Sequence, residues 1–129
     1  MANNQTHMWE ITLDQWDDIR EELRRRLIKI ARRKSTLSYS DLAEGLPFEG
    51  PHSHALRRML EEIGQDCDAN DEPLLSALAV YATGDKRGDP GDGFYGALIR
   101  LRRIASSTSK DERYEYWVGQ VGLCHQFNW

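Results

Sequence analysis

The chain has little cysteine, no long apolar run and no decisive excess of one charge. Its two cysteines, Cys67 and Cys124, stand far apart in 129 residues. That pattern suits two reduced thiols in an intracellular protein better than a disulfide framework. No apolar stretch approaches the about 20 residues that a membrane helix needs, so no membrane partner is expected. The start, Met1-Ala-Asn-Asn-Gln-Thr-His, lacks the basic stretch and apolar run of a secretory signal, and the expected location is cytoplasmic. Seventeen bases against 21 acids give a net charge of −4. This excludes a protein that coats nucleic acid by bulk attraction and leaves open a local basic face. Internal repeats and low-complexity tracts are absent. No serine sits in a nucleophile elbow, and the glycine-rich stretch Gly84 to Gly96 lacks the Gly-Lys-Ser/Thr ending of a phosphate loop. No catalytic set and no cofactor follow from these residues.

Apolar residues make up 40% of the chain and charged residues 29%, the balance of a globular protein. A single domain, 1–129, is expected, long enough to bury most of its apolar side chains. Leu13, Trp16, Ile19, Leu23, Leu27, Ile30 and Ala31 recur at spacings of three and four and predict a long amphipathic helix over 13–34. Thr12 and Gln15 fit a capping box at its start. Acids lead this helix and bases close it, which complements its dipole. Leu37-Ser-Tyr39 reads as a short strand, and Ser40 as the cap of a short helix from Asp41 to Glu44. Ser53 caps the next helix, whose stripe is Leu56, Met59, Leu60, Ile63 and Cys67. Leu74 to Ala82, apolar and bounded by Pro73 and Gly84, predicts a strand, and the glycine-rich loop after it a wing or hairpin. Phe94, Ala97, Leu98, Leu101 and Ile104 begin a fourth helix. Ser109 and Glu112 form a second capping box, ahead of a C-terminal helix marked by Tyr114, Trp117, Val118 and Val121. Flanking helical segments at 13–34 and 94–127 thus enclose a core of about 36–96.

The order in 36–96 is short strand, short helix, turn, longer helix, then a strand pair. This is the layout of a winged helix-turn-helix, and the fold class it predicts is α+β, helix-rich and winged-helix-like. Three stretches carry a more specific likeness: Tyr39-x-x-Leu42-Ala43, the helix His54-Ala-Leu-Arg-Arg-Met-Leu60, and Pro73 followed by an apolar strand and a loop ending Gly93-Phe-Tyr-Gly96. They resemble the DNA-binding domain of alkylguanine-DNA alkyltransferases and alkyltransferase-like proteins, over about half of the chain. The resemblance implies DNA as a partner. It does not carry the alkyl-transfer chemistry, because the family's Pro-Cys-His-Arg reads Pro73-Leu74-Leu75-Ser76 here, with neither thiolate nor imidazole.

Two basic clusters are the candidate contacts. Arg57 and Arg58 open the second helix of the helix-turn-helix, where guanidinium groups reach phosphates or base edges. The bland alternative is a solvated helix face, with Glu61 and Glu62 pairing with them and repelling a duplex. The run Arg24, Arg25, Arg26, Lys29, Arg32, Arg33, Lys34 is the densest positive charge, with dipole-complementing charge as its alternative. His52, His54, Cys67, Cys124 and His125 fall short of a zinc site in count and spacing, and Asp85, Asp89 and Asp92 do not match a calcium loop. Trp16 and Trp117 fall on helix stripes and read as core. Trp9 and Trp129 either pack the ends or mark a partner surface. The expected function is a non-catalytic binding module for DNA or a DNA-linked system. Beside it stand a neutralising partner of antitoxin or immunity type, using the acidic stretch Glu61 to Glu72 against a basic protein, and a small enzyme. A pocket lined by Tyr39, His54, Tyr81 and Tyr95 would favour the enzyme.

Overall fold

The computed structural model describes residues 7–8, 11–50 and 53–129; Trp9 and His52 lie outside them. The fold is helix-rich with two small sheets, in keeping with an α+β class. Strands β1 (His7–Met8) and β2 (Ile11–Thr12) pair antiparallel. Helix α1 (Leu13–Arg32) follows, and its start is the predicted capping box. Thr12 Oγ accepts the Gln15 amide N–H at 3.2 Å, and the Gln15 side chain accepts that of Thr12 at 3.1 Å. Trp16, Ile19, Leu23, Leu27 and Ala31 are buried along one face. The helix ends two residues before the predicted Lys34, which takes a left-handed backbone (φ 55°) while the Ser35 amide bonds back to the Ile30 carbonyl. Asp71 and Arg102 close the helices before them in the same way (φ 57° and 62°), with six-to-one bonds from Glu72 to Cys67 and from Arg103 to Leu98. These are Schellman ends built without glycine.

Strand β3 (Leu37–Ser38) leads directly into α2 (Tyr39–Ala43). The cap is Ser38, whose hydroxyl accepts the Asp41 N–H, and not Ser40. Two serines compete for that position, and the earlier one wins by placing Tyr39 and Leu42 together on the buried face. Helix α3 (His54–Ala69) is capped by Ser53 as expected and buries Leu56, Met59, Leu60, Ile63 and Cys67.

The largest departure is at 74–82. Leu75–Leu78 form a single 3-10 turn, and only Ala79–Val80 are strand, β4. Leu74, Leu75, Ala77, Leu78 and Ala79 are nevertheless at most 1% exposed. Helices α1 and α3 and the later α5 pack around the turn, so the segment has burial without neighbouring strands. Several of its backbone groups take side-chain partners. Gln120 accepts the Leu74 N–H at 3.1 Å, Trp117 Nε1 donates to the Ala77 carbonyl at 2.8 Å, and Cys124 Sγ donates to the Leu74 carbonyl at 3.3 Å. Strand β3 offers an edge, and Leu37–Ser38 pair with Ala79–Val80 in parallel. Among the described residues no strand follows β4. The loop folds back on Tyr81, whose N–H bonds the Asp89 carbonyl and whose carbonyl accepts the Gly88 N–H, in place of a hairpin wing.

Helix α4 (Asp92–Arg100) starts two residues before Phe94 and stops short of Leu101 and Ile104. Helix α5 (Lys110–Gln126) begins with the predicted Ser109–Glu112 capping box. Its buried face is Trp117, Gln120 and Cys124, whereas Tyr114 and Val118 of the predicted stripe are exposed. The reason is Gln120: its amide belongs in the core because it answers the Leu74 backbone. Among the described residues no helix is long and apolar enough to cross a membrane.

Candidate functional site

A cavity of about 370 Å³ opens where α2, α3, the 3-10 turn and α4 meet. Helix α3 contributes His54, Arg57, Arg58 and Glu61, spaced i, i+3, i+4, i+7 so that all four fall on one face. Tyr39 comes from α2, Ser76 from the 3-10 turn and Tyr81 from the end of β4. Gly91, Asp92, Gly93 and Phe94, the first turn of α4, close the far side with Arg100. Three of the four residues named from the sequence as a would-be pocket, Tyr39, His54 and Tyr81, are brought together here, and Tyr95 is not among the lining.

The aromatic wall is fixed from two directions. The rings of Tyr39 and Tyr81 meet edge to face at 5.2 Å and 64°. Tyr39 Oη accepts the Gly91 N–H at 2.8 Å. A side chain at Gly91 would press on both phenols, because a Cβ there would stand 3.1 Å from Tyr81 Oη and 3.3 Å from Tyr39 Oη. Burial pushes the Tyr39 hydroxyl up to about 12, against the Gly91 hydrogen bond, which lowers it. Tyr39 is therefore a neutral phenol at physiological pH and serves as a hydrogen-bonding group.

Charge in the cavity is mostly paired. Arg100 grips Glu61 with two hydrogen bonds of 2.7 and 2.8 Å. Arg58 lies 3.3 Å from Glu62. Asp92 meets Lys86 at 3.0 Å. The stem of Arg57 runs across the start of α4, its Cδ 3.8 Å from the place of a Cβ on Gly93. Glu61 and Glu62 thus differ from the solvated pair expected from the sequence. Their side chains are only 17% and 19% exposed, and Glu62 Oε1 also accepts Trp16 Nε1 and Arg20 at 2.7 Å each. The lining holds three guanidinium groups and two carboxylates, so arginine is the main charged group of its walls.

No family model, curated protein or solved structure matches the chain.

The second basic cluster is largely engaged within the fold. Arg24 lies 3.5 Å from Glu72 and over the Trp129 ring at 5.9 Å. That pair is held by charge, since Arg24 Nη1 and Glu72 Oε1 are buried without a hydrogen-bond partner. Arg25 and Arg26 both pair with Glu22, and Arg26 also donates to the Leu42 and Glu44 carbonyls. Arg32 donates to the Trp129 carbonyl. Lys29, Arg33 and Lys34 complete the run on and just beyond the last turns of α1.

Trp129 also donates to the Cys124 carbonyl and packs against Phe127, while Trp16 and Trp117 are core. Cys67 and Cys124 are free, buried thiols, and His125 Nε2 lies 2.9 Å from the Ser35 carbonyl. Among the described residues no three His, Cys, Asp or Glu side chains group as metal ligands. Sequence reasoning missed Arg100, Ser76 and Gly91–Gly93 as site residues. No local signal marks them, because Gly91–Gly93 and Arg100 join the site when α4 docks on α3, and Ser76 when the 3-10 turn does.

Proposed function

We propose that the chain is a non-catalytic binding module with a winged-helix-like core, which engages DNA through the exposed face of α3. The order β3, α2, α3, β4 supports the winged-helix reading, although β4 pairs with β3 in parallel and the following loop closes on Tyr81. The observation that carries the DNA reading is the pairing of the acids on α3. Glu61 and Glu62, which would repel a duplex if free, are compensated by Arg100, Arg20 and Arg58, which removes that repulsion beside Arg57 and Arg58. The same pairing weakens the antitoxin-type reading. Glu61, Glu62, Asp68 and Glu72 each face an arginine of another element, which leaves little of the acidic stretch for a basic protein.

The test is fluorescence anisotropy with duplex DNA across a salt series. Each phosphate contact contributes about 0.9 to the slope of log affinity against log salt, so Arg57→Ala and Arg58→Ala each reduce the slope by about 1. The double charge reversal, Arg57→Glu with Arg58→Glu, abolishes binding at low salt. Absence of binding by the parent chain at low salt, or an unchanged slope in the variants, refutes the proposal.

A further inference from the structure

We infer that the cavity between α2, α3 and α4 is a binding site for a small aromatic anion, a planar ring system bearing one phosphate or carboxylate group. The inference rests on the cavity alone and not on the DNA reading. Its volume of about 370 Å³ falls in the range of ligand sites, about 300–1,000 Å³. An empty packing defect in a core is apolar; this space is lined by Tyr39, Tyr81 and Phe94 together with the guanidinium groups of Arg57, Arg58 and Arg100.

Each wall selects one part of the ligand. The two phenol rings, held edge to face, and Phe94 offer apolar surface at aromatic spacing. Arg57 lies against Gly93 at the first turn of α4. Arg100 is held in one orientation by its two-bond grip on Glu61. A guanidinium has five N–H donors, so the Glu61 and Glu62 pairings of Arg100 and Arg58 leave donors for a second oxyanion. The lining brings three guanidinium groups together with the carboxylates of Glu61 and Asp92, and Glu62 beside Arg58 and Lys86 beside Asp92 complete the charges that an anionic group would meet. A Cβ at Gly91 would press on both tyrosine hydroxyls, at 3.1 and 3.3 Å. A ligand seated here covers Arg57 and Arg58 and competes with any polyanion for them.

The experiment is an NMR titration of the full chain with 1-naphthyl phosphate, 1-naphthol and inorganic phosphate, with no DNA present. The expected result is saturable movement of the Ser76, Gly91 and Gly93 amide signals by naphthyl phosphate. Naphthol and inorganic phosphate each bind about tenfold more weakly or worse, because each lacks one half of the recognised group. Arg57→Gln weakens naphthyl phosphate binding by about tenfold with an unchanged circular dichroism spectrum. Ala97→Phe, which fills the space from α4, blocks binding, and Arg57→Gln serves alone if that variant fails to fold. No saturable movement at millimolar ligand overturns the inference. So does inorganic phosphate or naphthol binding as tightly as the conjugate, or an affinity indifferent to Arg57→Gln. Failure of DNA binding leaves this result standing, and failure here leaves the DNA reading standing.

Discussion

Replacing Glu62 by glutamine should destabilise the fold by about 2 kcal/mol, through the loss of one charge. The Glu62 carboxylate joins α1 to α3. One oxygen accepts Trp16 Nε1 and Arg20 Nη1, both at 2.7 Å, and the other lies 3.3 Å from Arg58. Glutamine keeps the shape but has one acceptor oxygen and no charge. It satisfies either the indole N–H or the guanidinium well, and its amide N–H₂ faces Arg58. A hydrogen bond to a charged group contributes about 1.5–3 kcal/mol. The site is partly screened, with Glu62 19% and Arg20 30% exposed, so the low part of that range applies. For 129 residues and an unfolding entropy of about 2.1 cal/mol/K per residue, the loss lowers Tm by about 7 °C. Calorimetry and urea midpoints at unchanged m-value measure it. Arg58, 46% exposed and one turn away, is the control: Arg58→Ala costs about 0.5 kcal/mol or less. A Glu62→Gln variant within about 0.5 kcal/mol of the parent would show that this carboxylate does not hold the two helices together.

Two further outcomes follow from the core. Tyr39 and Cys124 are both neutral in the fold, with burial raising each to about 12 from ordinary values of 10.0 and 9.0. Their contribution is complete below those ordinary values and is lost as pH rises through about 12. Urea midpoints therefore fall on the alkaline side, and Tyr39→Phe, though less stable at neutral pH for want of the Gly91 hydrogen bond, falls less steeply; an equal slope in that variant refutes the assignment. Trp117→Phe strands the buried Ala77 carbonyl, which Nε1 now reaches at 2.8 Å, and costs about 2 kcal/mol or more; a urea midpoint near that of the parent would mean that the carbonyl finds another donor.

Features decided within a few residues were legible in the sequence. Both capping boxes, the Ser53 cap, the stripe of α3 and that of α1 from Trp16 onward need only local spacing, while Leu13, counted into the α1 stripe, is 46% exposed. Residues 74–82 were not legible, because a run of leucine and alanine announces burial and says nothing of whether strands or helices will surround it. Gln120 hid the inner face of α5: a polar residue reads as solvent-facing until its partner, the Leu74 amide, is known. For the basic run 24–34 a binding surface and dipole-complementing charge stood side by side in the sequence; the Glu22 pairs of Arg25 and Arg26 are local, whereas Glu72, Trp129 and the carbonyls of Leu42 and Glu44 lie far along the chain. The cavity was legible as a set of residues, Tyr39, His54 and Tyr81, and not as a place, because four separate elements build it.

The 3-10 turn at the centre also sets the order of assembly. Its leucines have no local ladder to form early. The Leu74 amide and carbonyl and the Ala77 carbonyl wait for Gln120, Cys124 and Trp117, which arrive from a helix some forty residues or more later in the chain. Helices with good caps start within microseconds, while pairing Leu37–Ser38 with Ala79–Val80 requires closing a long loop first. The Leu74 amide therefore stays exchangeable until α5 has docked, and its protection from deuterium marks the moment at which the molecule becomes native.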